Sequence, residues 1–347
     1  MSKVSIVLPT YNRLSQLQKV LTGLEAQTLP PTAFEVLVVS DGSTDGTDEF
    51  LRAYTTPLNL RLFVQHNQGA ATARNLGIKM AQGEIIVFLD DDVVPEPQLL
   101  AEHIATHQRQ ATDVVVLGPM LTPEDVTLKP WVHWEQAMLY KQYADIAAER
   151  WQPTARQFYT GNASVARRYL LATGGFDTSL RRAEDVELAY RLADRGLTFV
   201  FNPDAIGYHY ADRSFASWQQ TPTMYGRNDV IFARDRNQRW LLALVMQEFH
   251  RRHAFIKALT QLCLSRRTLS TLFIHGLRRA AGVSNALHLG RLSQRAYSGI
   301  FNLCYYQGMA DELGGRDVFF QLADTMIAPT EPQSVFLIEG NDHVGTF

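Results

Sequence analysis

Three consecutive aspartates, Asp90, Asp91 and Asp92, follow an unbroken apolar run, Ile85-Ile86-Val87-Phe88-Leu89. The run fits a strand of a parallel sheet that is covered on both faces. Carboxylates at its end cannot belong to the core, because burying unpaired charge is costly. Adjacent acids repel one another, and a cation relieves the repulsion. Such a cluster suits a hard divalent metal with oxygen ligands, Mg²⁺ or Mn²⁺, shared with a phosphate-bearing substrate. The competing reading is a solvated acidic loop that merely ends a strand. A second acidic pair, Glu184-Asp185, opens a helical pattern. Acids in a first helical turn favour the helix dipole; a carboxylate fixed there can also act as a general base. Asp41 starts Asp41-Gly42-Ser43-Thr44-Asp45-Gly46, where it can form an Asx turn, accept hydrogen bonds from a base or ribose, or do both. Arg74 stands on a helix otherwise poor in charge, where a surface position is the plain reading. His209 lies among aromatics, the setting of a packed histidine.

The elements that carry these residues alternate. Strand patterns at 4–8, 34–39, 60–64 and 85–89 are separated by helical patterns at about 14–27, 48–54 and 69–81. Further strands are expected at 113–119, 157–164 and 197–201, with Ile206-Gly207-Tyr208-His209-Tyr210 after the last of them, and helices at 131–150 and from 183 to about 192. Alternation of this kind predicts an α/β fold with a mostly parallel sheet flanked by helices. Ligands of such sheets bind beyond the carboxyl ends of the strands. Thr10 and Asn12, Asp41, and Asp90 to Asp92 all fall at those ends.

Several classes are excluded. The loop from Asp41 is no calcium EF-hand, since Arg52 stands where the bidentate Glu is required and a strand precedes it. The chain has neither a Walker phosphate loop nor a dinucleotide glycine fingerprint. With 347 residues it can bury a sizeable core, and its net charge of −2 favours no partner. Cys263 and Cys304 lack metal-ligand spacing and point to a reducing compartment. The N-terminus runs into a strand without a signal-peptide pattern, and no apolar run is long enough for a bilayer. A cytoplasmic location is expected, with peripheral attachment to the inner membrane face left open.

Six stretches together resemble the family 2 glycosyltransferases of the GT-A fold. They are Val7-Leu8-Pro9-Thr10-Tyr11-Asn12-Arg13, Val38-Val39-Ser40-Asp41-Gly42-Ser43-Thr44-Asp45, Ala73-Arg74-Asn75-Leu76-Gly77, Phe88-Leu89-Asp90-Asp91-Asp92, Gly174-Gly175-Phe176-Asp177 and Glu184-Asp185-Val186-Glu187-Leu188. They occur in the family's order over about residues 3–210. The resemblance implies transfer of a sugar from a nucleoside diphosphate sugar, UDP by default, to an acceptor hydroxyl, with inversion. It implies that Pro9, Thr10, Tyr11, Asn12 and Asp41 line the nucleotide pocket and that Arg74 faces the donor. Asp90 and Asp92 would be the acids of the Asp-x-Asp motif, with Asp90 nearer the ribose and Asp91, between them, also on the donor nucleotide. Asp92 would ligate Mn²⁺ or Mg²⁺ directly, and His209 would complete the metal site. Asp185 would be the base and Glu184 its supporting neighbour. A sugar nucleotidyltransferase is the rival within enzymes, but its basic glycine-rich loop is missing after the first strand. An inactive nucleotide- or glycan-binding protein is the rival outside them, and intact Asp90, Asp92 and Asp185 argue against it.

The sequence divides into a catalytic domain at 1–212, a basic helical region at 213–328 and an extended tail at 329–347. Residues 251–310 contain nine Lys and Arg and no Asp or Glu. Leu259, Leu262, Leu269, Leu272, Phe273 and Leu277 recur there at near-helical spacing. Such helices suit an anionic membrane surface and a lipid-linked or polysaccharide-precursor acceptor. They can equally pack on the rest of the chain with their arginines in water. Nucleic acid is not an expected partner, since no recognition motif accompanies the charge. Trp131, Trp134 and Tyr140 read as core or as the lining of an acceptor groove.

Overall fold

The computed structural model describes residues 4–180 and 182–326. The expected tail at 329–347 lies outside them. Chain contacts group the protein into two units, residues 1–127 with 139–211, and residues 128–138 with 212–347. The stretch 128–138, placed by the sequence with the catalytic domain, therefore belongs with the later helices.

Ten strands occur in the first unit: β1 (Val4–Thr10), β2 (Phe34–Ser40), β3 (Asn59–Val64), β4 (Ile85–Leu89), β5 (Val93–Pro95), β6 (Val114–Leu117), β7 (Met120–Leu121), β8 (Asn162–Ala166), β9 (Thr198–Phe201) and β10 (Gly207–His209). Seven of them form one sheet in the order β3-β2-β1-β4-β8-β6-β9. All its pairings are parallel except those of β8 with β4 and β6. A smaller sheet has the order β5-β10-β7. Every residue of β1 and β2 is buried, and the polar Ser5 and Glu35 within them are paired, Ser5 Oγ donating to Glu35 Oε1 at 2.6 Å.

The helices of this unit are α1 (Leu14–Glu25), α2 (Thr47–Ala53), α3 (Ala70–Met80), α4 (Leu99–Arg109), α5 (Pro130–Ala147), α6 (Arg167–Thr173) and α7 (Glu184–Ala193), with the first turns of α5 in the second unit. Helix α3 lies very close to β1. A Cβ on Gly77 would meet Val7 Cγ1 at 2.4 Å, so only glycine fits there. That approach brings Arg74, one turn earlier, into a buried position beside the sheet's carboxyl edge.

The strand expected at 157–164 begins later, at Asn162. Thr154 and Gln157 form a reciprocal capping box over the 3₁₀ turn Ala155–Gln157, and this local closure displaces extended structure.

In the second unit, α8 (Phe215–Asp235), α9 (Trp240–Arg251), α10 (Ala254–Cys263), α11 (Arg267–Ala286) and α13 (Arg316–Thr325) surround α12 (Gly290–Leu313), which is buried from Ala296 to Ala310 apart from Gln307. Trp131 and Trp134 pack there against Phe215, Trp218 and Phe301 as core. None of the helices among the described residues is long and apolar enough to cross a membrane. Leu272, Val283, Leu287, Leu289 and Leu292 nevertheless remain exposed, with Arg267, Arg279, Arg291 and Arg295 exposed along the same stretch.

Candidate active site

The carboxyl edge of the large sheet is built from loops that lock one another. After β1, Asn12 takes a left-handed conformation at φ 52°. Its Oδ1 accepts from the Thr44 N–H at 2.7 Å, and its own N–H donates to Ser43 Oγ at 3.1 Å. The loop after β1 is thereby tied to the loop after β2. Pro9 is buried within β1, whereas Tyr11 is 48% exposed and presents its ring to solvent.

Asp41 is buried and already engaged. Its oxygens accept from Gln65 Nε2 at 2.7 Å and from the N–H groups of Gln68 and Gly69 at 2.8 Å each. A carboxylate has about four lone-pair sites, so the anchoring of the 65–69 loop uses most of its capacity.

The three aspartates after β4 diverge. Asp90 turns toward α3, where Arg74 NH2 donates to its Oδ1 at 2.7 Å. The other arm of that guanidinium, NH1, donates to Glu184 Oε1 at 3.0 Å. One buried arginine therefore joins the corner after β4 to the start of α7. Its Nε–H has no acceptor among the described residues. Gly161, at the entrance to β8, leaves room for this corner, since a Cβ there would stand 3.2 Å from Asp90 Oδ2.

Asp91 and Asp92 turn the other way, toward Arg13. Thr10 Oγ1 donates to Asp91 Oδ2 at 2.8 Å, and the Arg13 guanidinium contacts both carboxylates. His209 Nε2 lies 3.6 Å from Asp92 Oδ1. Burial pushes Asp91 up to about 7 despite Arg13 and Thr10. Burial acts on Asp92 as well, but His209 and Arg13 outweigh it and hold that carboxyl down at about 2. The two adjacent carboxyls are shifted in opposite directions because only Asp92 faces His209 as well as Arg13.

Asp185 occupies the first turn of α7, behind Ala183, which is left-handed at φ 59°. An alanine in that region costs roughly 1–2 kcal/mol, a local strain held at the mouth of the site. The Asp185 carboxylate accepts from the Val186 N–H at 2.8 Å. Burial first and the charge of Glu184 second push its pKa up to about 7, against the pull of Arg74. The preceding turn is clamped to α3: Asn75 Nδ2 donates to the Phe176 carbonyl at 2.8 Å, and its Oδ1 accepts from the Phe176 N–H at 2.7 Å.

Among the described residues, no three of His, Cys, Asp and Glu converge on a point where a metal could sit. Of the expected trio Asp90, Asp92 and His209, Asp90 accepts from Arg74 while Asp92 lies beside His209. Asp92 and His209 remain as an oxygen and a nitrogen facing each other, a donor pair that fits Mn²⁺ or Mg²⁺ when phosphate and water supply the other ligands. Arg13 was given no role by sequence reasoning. Its signal was available: three adjacent acids need a positive partner, and Arg13 ends the loop of the neighbouring strand.

This mostly parallel sheet, with its carboxylates gathered at one edge, has the GT-A fold. The profile of "Glycosyl transferase family 2" matches residues 5–175. Glycosyltransferase AglE of Haloferax volcanii is 30% identical over 230 residues, covering 65% of this chain and 73% of AglE. The validoxylamine A glucosyltransferase of Streptomyces hygroscopicus is 31% identical over 229 residues, which are 59% of this chain and only 51% of that longer protein. The mannosyltransferase PcManGT of Pyrobaculum calidifontis, solved with GDP-mannose and Mn²⁺, superimposes with a TM-score of 0.60 at 21% identity, over 88% of this chain and 86% of its own. The chain belongs to the family 2 glycosyltransferases.

Proposed function

We propose that the protein is a metal-dependent, inverting glycosyltransferase that moves a sugar from a nucleoside diphosphate sugar to a glycan hydroxyl. The observation that carries this is Asp185: a mostly enclosed carboxylate at a helix start, raised to about 7 and joined through Glu184 and Arg74 to the corner after β4. A base of that strength takes the proton from an attacking hydroxyl near neutral pH. It stands apart from Asp92, which remains ionised. One acid therefore handles a proton while the other holds charge. Attack on the anomeric carbon from the side opposite the leaving diphosphate inverts that centre.

Asp92 and His209 would hold Mn²⁺ or Mg²⁺. When bound, the ion supplies charge to offset the growing negative charge on the leaving diphosphate. Thr10 positions Asp91, and Asn12 fixes the loop on which Tyr11 is displayed toward the base. Asp41 braces the pocket and keeps one acceptor site for base or ribose. Arg74 would face the donor through the carboxylates it holds, Asp90 and Glu184. UDP is favoured by the family resemblance. The GDP-mannose of the mannosyltransferase relative keeps GDP in the comparison.

The acceptor is proposed to be a lipid-linked or polysaccharide-precursor glycan. Exposed leucines beside exposed arginines on α11 and at the start of α12 support attachment to an anionic membrane face. The test is a thermal-shift screen of UDP-, GDP- and dTDP-sugars with Mn²⁺ and with chelator, followed by nucleoside diphosphate release. Stabilisation by one donor with Mn²⁺ but not with chelator is expected. Lack of stabilisation by every donor refutes the reading.

A further inference from the structure

Beside the carboxylates the first unit contains a cleft of about 590 Å³ that the proposed chemistry does not use. This size lies within the roughly 300–1,000 Å³ typical of small-ligand sites. Its floor is one rung of the small sheet, Val94–Tyr208–Leu121. The neighbouring rung pairs Val93 with His209, and side chains of successive strand residues point to opposite faces. His209 therefore faces Asp92 on one side of the sheet while Tyr208 floors the cleft on the other. Tyr140, Tyr143, Tyr210 and Glu124 complete the walls used here.

Tyr140, Tyr143 and Tyr208 are fixed at their hydroxyl ends. The Thr122 N–H donates to Tyr140 Oη at 2.7 Å, and the Met120 N–H donates to Tyr143 Oη at 3.2 Å. Tyr208 Oη donates to Glu96 Oε1 at 2.9 Å. Tyr143 also stacks on Phe201, with ring centroids 5.2 Å apart. Little rotamer freedom remains to be lost when a ligand binds. Tyr140 is still 39% exposed.

We propose that this cleft binds non-reacting sugars of the acceptor glycan. The chemistry is that of a carbohydrate subsite: rigid aromatic surface for the C–H faces of a pyranose, and an exposed carboxylate, Glu124, for its hydroxyls. No Arg or Lys is among the residues that line the cleft; the nearby Lys19 Nζ lies 4.0 Å from the Tyr210 ring centroid, engaged with that ring. The cleft also adjoins the reaction centre, because the Tyr210 N–H donates to the Asp92 carbonyl at 2.8 Å. Sugars held there contribute binding that steadies the reacting hydroxyl next door. The proposal rests on the transferase reading above.

The test is saturation-transfer NMR on the full chain, without donor, using a mixture of cellobiose, chitobiose, mannobiose and maltotriose at millimolar concentration, with monomeric dodecyl maltoside in a separate arm. Saturation of pyranose ring protons is expected, reduced about tenfold in Tyr140→Ala and also reduced in Glu124→Gln. Nucleotide-sugar binding, measured by thermal shift on the same samples, should change less than twofold. Donor binding with no saccharide signal would overturn the cleft and leave the transferase standing. Saturation confined to the dodecyl chain would overturn it in favour of an apolar occupant. Saccharide signals that survive both substitutions would place the sugar elsewhere. Failure of every nucleotide sugar to bind would instead count against the transferase reading.

Discussion

Asp185 gives the sharpest prediction, because its proton affinity bears on both rate and stability. Burial and Glu184 place it at about 7, against an ordinary aspartate value of 3.8. As a base it works only when ionised, so the rate should rise with pH through about 7. With a single controlling group at 7, the ionised fraction is about 0.97 at pH 8.5 and about 0.03 at pH 5.5, a rate change of about thirtyfold. An ordinary aspartate would give a flat profile over that range. The stability effect has the opposite sense. A carboxyl whose folded pKa lies above its unfolded value is easier to bury protonated, so stability is greatest at low pH and is lost as pH rises through about 7. Three units correspond to a ceiling of about 4 kcal/mol, reduced by the solvent that Asp185 still meets. Asp185→Asn should therefore lose transfer and keep donor binding. It should also be more stable than the parent at pH 8.5, with little difference near pH 4. The assays are nucleoside diphosphate release from pH 5.5 to 8.5 and denaturant titration at the two pH extremes. A flat rate profile, or an Asn variant with normal turnover, would refute the assignment.

Other consequences can be checked directly. Arg13→Ala leaves Asp91 and Asp92 without their shared guanidinium, so denaturation at pH 8 should show a loss of about 1–2 kcal/mol. That loss should shrink toward pH 4 as Asp91 takes a proton. Gly77→Ala forces a methyl group against Val7 and should cost about 1–3 kcal/mol, seen as a lower Tm. Sedimentation with anionic vesicles at low salt should carry the protein down, zwitterionic vesicles should not, and Leu272→Ser with Leu287→Ser should weaken the effect. Equal recovery with both vesicle types would remove the membrane proposal.

The parts of this protein legible in its sequence are those fixed by local pattern. The buried runs at 4–8, 34–39 and 85–89 name their strands because both faces are covered, and the acids at the strand ends mark the ligand edge of the sheet. The α/β architecture with a mostly parallel sheet is as expected. What pattern could not give is direction. Nothing in Asp90-Asp91-Asp92 says that the first acid turns to α3 and the other two to Arg13, since that depends on where helices settle. Arg74 looked like a surface residue until Gly77 drew its helix onto β1. Asp41 read as an Asx turn or a nucleotide contact, and pattern gave no sign that the donors of the 65–69 loop lie on it. The late start of β8 was readable in Thr154 and Gln157, whose capping spacing outweighed the strand pattern around it.

Arg74 and its neighbour Asn75 have a further consequence. Adjacent residues of one helix grip both ends of the segment that leads into α7, Phe176 through the Asn75 amide and Glu184 through the guanidinium. The base is surveyed from a fixed beam rather than from the loop that precedes it. The start of α7, and with it the proposed base Asp185, is thereby placed by contacts from outside its own segment.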